Sequence, residues 1–131
     1  MKDKVILVDC DGVLLDWEYM FERFMTIKGY AVQDGQENNY VIGERYGIGN
    51  KGRDLIAEFN DSSWIGFLPQ LRDAVHYVQK LNQEHGYIFH VISSLSKNEY
   101  AGRLRTMNLK KLFGENVFDR FVYLDTGADK D

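Results

Sequence analysis

Cysteine and proline are almost missing from this sequence. The one cysteine, Cys10, has no partner for an intrachain disulfide, so no oxidised framework is expected. The one proline, Pro69, argues against a long extended linker. There are no internal repeats and no low-complexity segments. No apolar run approaches the ~20 residues of a membrane helix, and the run from Val5 to Val8 is too short for a signal peptide and ends in Asp9. Charge of one sign is not concentrated anywhere. Sixteen basic and 20 acidic residues give a formal net charge of -4, without the broad positive field that duplex nucleic acid requires. These absences predict a cytoplasmic protein with neither a membrane nor duplex nucleic acid as partner.

What is present suits one compact domain: 131 residues, 44% of them hydrophobic. Residues 4–8 form a short continuous apolar run and read as a strand buried on both faces, as in parallel sheets. Trp17, Met20, Phe21, Phe24 and Met25 recur at helical spacing and predict an amphipathic helix over 17–28, stopped by Gly29. Residues 31–50 are polar and glycine-rich and read as loop with one helical turn; 52–59 reads as a short helix. Pro69 is expected to open a helix with Leu71, Ala74, Val75, Val78 and Leu81 as its apolar stripe, closed by Gly86. A second strand over 87–92 leads to Ser93 and Ser94. Ser96 and Glu99 have the pattern of a capping box before a helix over 97–108. Residues 121–124 read as a third strand. This alternation predicts an α/β fold with a parallel sheet joined by right-handed crossovers.

In such sheets chemistry lies beyond the carboxyl ends of the strands. The residues found there are Asp9, Asp11, Gly12, Ser93 and Ser94, with Lys130 after the third strand. Two carboxylates two residues apart repel unless a cation or a shared proton intervenes. Mg2+ takes oxygen ligands and would serve, and a carboxylate can also act as a covalent nucleophile. Gly12 lets the backbone turn sharply. A serine hydroxyl beside free N–H groups can seat an anion, and a lysine can neutralise phosphoryl oxygens. Together these groups suit phosphoryl transfer, which needs mainly positioning and charge stabilisation.

Val5-Ile6-Leu7-Val8-Asp9-Cys10-Asp11-Gly12-Val13 resembles the first motif of the haloacid-dehalogenase-like phosphatases, a strand followed by Asp-x-Asp-Gly-(Thr/Val). Val91-Ile92-Ser93 resembles the second motif, and Lys130 after Phe121-Val122-Tyr123-Leu124 resembles the third-motif lysine. The resemblance implies Asp9 as the nucleophile that becomes an aspartyl-phosphate and Asp11 as general acid and base. It implies Mg2+ held by the Asp9 carboxylate and the Asp11 backbone carbonyl. Ser93, with Ser94 and Gly12 beside it, would hold the phosphoryl group, and Lys130 would steady both it and Asp9. It further implies a Rossmann-like core over 1–13 and 67–131, with a small helical cap over 14–66. The run Asp11-Gly12-Val13-Leu14-Leu15-Asp16-Trp17 is most similar to the 5'(3')-deoxyribonucleotidase-like branch, so a nucleoside monophosphate or another small phosphomonoester is the expected substrate.

The sequence departs from that pattern in one respect. The family's fourth motif, a strand ending in acidic residues that complete the Mg2+ site, is not found; Asp125, Asp129 and Asp131 come too early. That strand normally pairs with the first, so the sheet is expected to be incomplete at that edge, a hazard for association and a seat for a homodimer. Poor activity of this form, or a truncated or degenerate non-catalytic member serving binding or assembly, is the rival expectation. A phospho-accepting receiver domain is a weaker one. Cys10 reads as a small buried residue facing away from the site. His76, His85 and His90 have no partner pattern. Trp17, Phe21, Tyr40, Tyr46 and Trp64 read as core before they read as nucleobase platforms.

Overall fold

The computed structural model describes residues 4–95 and 98–125. In chain order they form β1 (Lys4–Val8), α1 (Trp17–Ile27), α2 (Ile42–Arg45), α3 (Lys51–Asp61), a 3-10 turn (Ser63–Phe67), α4 (Ala74–His85), β2 (Tyr87–Leu95), α5 (Glu99–Phe113) and β3 (Phe118–Asp125). The strands make a parallel sheet in the order β1-β2-β3, the α/β architecture that the alternating pattern predicts. Val8 pairs with Val91, and Ser93 with Tyr123. The register slips between Phe89 and His90, so that Phe89 faces Phe118 while His90 faces Arg120.

Two right-handed crossovers that step the same way along a sheet lay both helices on one face. Accordingly α4 packs on β2, α5 on β3, and the two helices touch. The covered face carries Phe89, Val91 and Leu95 of the hydrophobic core, with the half-buried Ile6 and Val8 packed against it. The other face carries Val5 and Leu7, and Leu7 is 71% exposed. The expectation that β1 is buried on both faces is therefore corrected. Its composition is that of a strand inside a three-layer fold, but the described residues supply only one helical layer. Among the described residues β1 is also an edge of the sheet.

Residues 17–64 contribute an aromatic cluster to the hydrophobic core. Trp17 stacks on Phe21 at 4.7 Å between ring centroids, and Phe59 meets both edge-on. Trp17 Nε1 donates to Asn60 Oδ1 at 2.9 Å, which satisfies the indole inside this cluster. Phe21 and Tyr46 are buried, so they belong to the core; Tyr40 is exposed. Burial pushes the Tyr46 hydroxyl above its ordinary value.

Pro69 does not open a helix. α4 begins at Ala74, and Pro69 lies in the return of the insert, where its carbonyl accepts from Asp16 N at 2.9 Å. Leu71 N donates to Leu14 O at 2.9 Å, and Leu15 bridges Gln70 in antiparallel fashion. Residues 14–16 and 69–71 thus run side by side in a short two-stranded contact. Proline suits that position because its carbonyl still accepts while its missing N–H is not needed. Asn108 of α5 grips the returning chain by Leu68, accepting from its N–H at 2.9 Å and donating to its carbonyl at 3.1 Å. α4 closes at Gly86, whose φ of 73° is the left-handed cap geometry.

β2 runs to Leu95, three residues past its expected end, so Ser93 and Ser94 lie inside the strand. Ser96 of the expected capping box falls outside the described residues. Asn98 caps α5 instead, accepting from Tyr100 N at 2.9 Å. Among the described residues no helix is long and apolar enough to cross a membrane.

Candidate active site

The loop after β1 is wound around one backbone oxygen. The Cys10 carbonyl accepts from Val13 N, Leu14 N and Leu15 N, at 3.3, 2.9 and 3.0 Å. Gly12 N donates back to Leu15 O at 3.0 Å, and the turn needs Gly12 at a φ of 76°. A side chain at that φ would be strained, which is why glycine follows the second aspartate. The loop fixes Asp9 and Asp11 at the carboxyl end of β1. Asp9 Oδ1 accepts from Cys10 N at 2.7 Å.

Asp11 is held by a residue that sequence reasoning passed over. Arg105 Nη1 bonds Asp11 Oδ1 and also donates to Cys10 Sγ at 3.0 Å. Arg105 is completely buried, and the Asp11 side chain is 27% exposed. Burial works most strongly against the charge of Arg105, but the Asp11 carboxylate and Cys10 beside it together more than offset that, and the guanidinium is held above its ordinary value. Cys10 is buried as expected, and burial pushes its thiol up to about 12. Neighbouring Tyr123 is raised in the same way, mainly by burial, with its hydroxyl 2.8 Å from Thr106 Oγ1.

The signal for Arg105 was in the sequence. Ala101, Arg105, Asn108, Leu109 and Phe113 recur at helical spacing and form the buried face of α5. A charged residue in the middle of such a stripe is a rare and informative event.

Three of the predicted groups lie together. Asp9, Asp11 and Gly12 share one loop. Ser93 is buried on the covered face of β2, where its strand register pairs it with Tyr123. Ser94 alternates to the open face of the sheet, opposite Leu124, and is separated by the pleat from Ser93. Lys130 lies outside the described residues. His90 sits away from the loop, within 3.4 Å of Asp119. Among the described residues no group of three or more His, Cys, Asp or Glu side chains converges as a metal site. The Asp9 carboxylate and the Asp11 carbonyl still suit a Mg2+ ion that keeps most of its water, the usual habit of that ion.

Comparison with known proteins fits this architecture. No family model matches the chain. The chain is 25% identical over 114 residues to an uncharacterised 32.4 kDa protein of the Gp30-rIII intergenic region of Enterobacteria phage T4, covering 82% of this chain. It spans 40% of the length of that curated relative. The fold is shared with a hydrolase from Streptococcus pneumoniae TIGR4, whose crystal structure superposes with a TM-score of 0.54 at 14% identity, covering 98% of this chain and 71% of the other. That likeness establishes a Rossmann-like core.

Proposed function

We propose that the chain carries the core of a Mg2+-dependent phosphohydrolase of the haloacid-dehalogenase-like kind, acting on a nucleoside monophosphate or another small phosphomonoester. The observation that carries this reading is the Asp-Cys-Asp-Gly loop, wound on the Cys10 carbonyl at the carboxyl end of a parallel strand. In this reading Asp9 attacks phosphorus, and the bond from phosphorus to the substrate's bridging oxygen breaks as Asp11 protonates that oxygen. Asp11 then takes a proton from water, and the hydroxide releases phosphate and restores Asp9. Ser93 and Lys130 steady the phosphoryl oxygens. Mg2+, held by the Asp9 carboxylate and the Asp11 backbone carbonyl, would neutralise charge on those oxygens.

A second reading, a non-catalytic member kept for binding or assembly, is favoured by the short supply of metal ligands among the described residues and by the exposed edge of β1. A second copy seated on that edge would make a homodimer.

One assay separates the two. Phosphate release from nucleoside monophosphates and from 4-nitrophenyl phosphate, with and without Mg2+, is expected for the native chain and lost in Asp9→Asn. Release that survives Asp9→Asn refutes the nucleophile. No release from the native chain, together with a dimer on sizing, supports the assembly reading.

A further inference from the structure

We propose that Arg105 is a positioning residue for the reaction: its buried guanidinium tethers the Asp11 carboxylate to helix α5 and supplies the positive charge that the Asp9–Asp11 pair needs. The inference rests on the phosphohydrolase reading above and deepens it by naming what holds the acid/base group.

The first argument is the cost of the arrangement. Arg105 is the largest completely buried side chain among the described residues. Burying a guanidinium is expensive unless its donors are paired. Only Nη1 is paired, to Asp11 and Cys10; Nε and Nη2 are buried and find no partner among the described residues. A side chain retained for stability alone would be better replaced by an apolar one, since the stripe around it is Ala101, Leu109 and Phe113 together with Asn108, whose amide is fully engaged by Leu68. Half-satisfied buried polar groups in folded proteins concentrate where function demands them.

The second argument is where the guanidinium acts. Its one charged partner among these contacts is Asp11, in the loop that also carries Asp9. Arginine is charged at every working pH, so Nη1 can still donate to an Asp11 oxygen when that carboxyl carries the proton it passes to the leaving group. Cys10, on the same nitrogen, closes the far side of the contact with a thiol that burial keeps neutral. The carboxylate is therefore anchored from the core side, while the Asp11 side chain keeps its 27% exposure. A general acid or base must stand within hydrogen-bond reach of its proton, and small misplacements are costly.

The test is a double-mutant cycle on kcat with 4-nitrophenyl phosphate, whose leaving group needs no proton, so that turnover by Asp11→Asn stays measurable and kcat reads Asp11 as the base that activates water. Arg105→Lys keeps the charge and shortens the reach. Acting through Asp11, it lowers kcat by about 100-fold in the native background and by less than about threefold in the Asp11→Asn background. KM stays within about threefold in both, because the phosphate-binding groups are untouched. Arg105→Met removes the unpaired donors and melts within about 5 °C of the native chain, yet shares the loss of kcat. Equal losses in the two backgrounds, or an unfolded Arg105→Lys chain, overturn the proposal and make Arg105 a structural residue. A chain whose activity ignores Asp9→Asn overturns the phosphohydrolase reading itself, and the positioning role with it. Arg105 variants of native rate in a chain that does need Asp9 overturn the positioning role alone.

Discussion

Replacing Asn108 by alanine is expected to destabilise this fold more than an ordinary polar substitution. Asn108 is buried on α5, and both ends of its amide bond the backbone of Leu68, itself buried at the return of the insert. The substitution removes both partners at once and leaves an N–H and a carbonyl with no replacement. A buried polar group stripped of its partner costs about 1–3 kcal/mol, so two of them cost roughly 2–4 kcal/mol once water or a small shift recovers part of the loss. Unfolding entropy of about 2.1 cal/mol/K per residue over 131 residues makes each kcal/mol worth about 4 °C. A fall in Tm of about 7–15 °C follows. The benchmark is Asn98→Ala, which removes the side chain that caps α5 at an exposed helix start and should cost only about 1 kcal/mol. Thermal melting followed by circular dichroism compares the two. An Asn108→Ala chain that melts no lower than Asn98→Ala refutes the reasoning, because Leu68 would then satisfy its backbone without help from α5.

Two other measurements bear on the site. With the Cys10 thiol pushed up from 9.0 to about 12, the folded state keeps a proton that the unfolded chain releases above pH 9. Stability is then flat below pH 9 and falls as pH rises from 9 towards 12, by up to about 1.4 kcal/mol per pH unit from this group. Tyr123, also raised, adds to the same slope, so the reading is the difference between native and Cys10→Ala chains in urea unfolding at pH 8 and 10.5; equal losses in both count against it. Mg2+ is expected to bind the chain no tighter than about millimolar, because the described donors are one carboxylate and a backbone carbonyl. Calorimetry that gives a micromolar Kd would show that further ligands complete the site.

Much of the fold was legible because its signals are local. The apolar run over 4–8, the i, i+3, i+4 spacing of Trp17, Met20, Phe21, Phe24 and Met25, and Gly86 at a left-handed cap each reflect a rule that acts within a few residues. The misplaced features depend on distant partners. Pro69 suits a helix start on local grounds, but the carbonyl it presents to Asp16 decides its place. Ser93 and Ser94 look like a strand end because serine favours turns, yet pairing with Tyr123 and Leu124 carries β2 to Leu95. β1 has the composition of a strand covered on two sides. Composition records what a strand can bury, and the crossovers set which face is covered: α4 and α5 fall on the same side, and Leu7 is left in the open.

The candidate site follows the same division. That Asp9 and Asp11 call for a cation or a shared proton follows from the repulsion of two neighbouring carboxylates. Which cation serves is a question of tertiary structure. The sequence reading looked to a metal ion because hard oxygen ligands invite one. The fold brings a guanidinium to Asp11 from 94 positions further along the chain, out of a stripe whose other members are mostly apolar. A permanent charge fixed by packing and an exchangeable ion are not equivalent solutions. The guanidinium can anchor one carboxylate but cannot bridge it to a phosphate from inside the core, whereas an ion can do so only if enough ligands retain it. Under the proposed phosphohydrolase function, Arg105 on Asp11 would leave Asp9 as the carboxylate to which an ion is recruited, with one aspartate tethered and the other open to react. Two neighbouring aspartates with different tasks need different surroundings, and a guanidinium on one of them supplies such a difference.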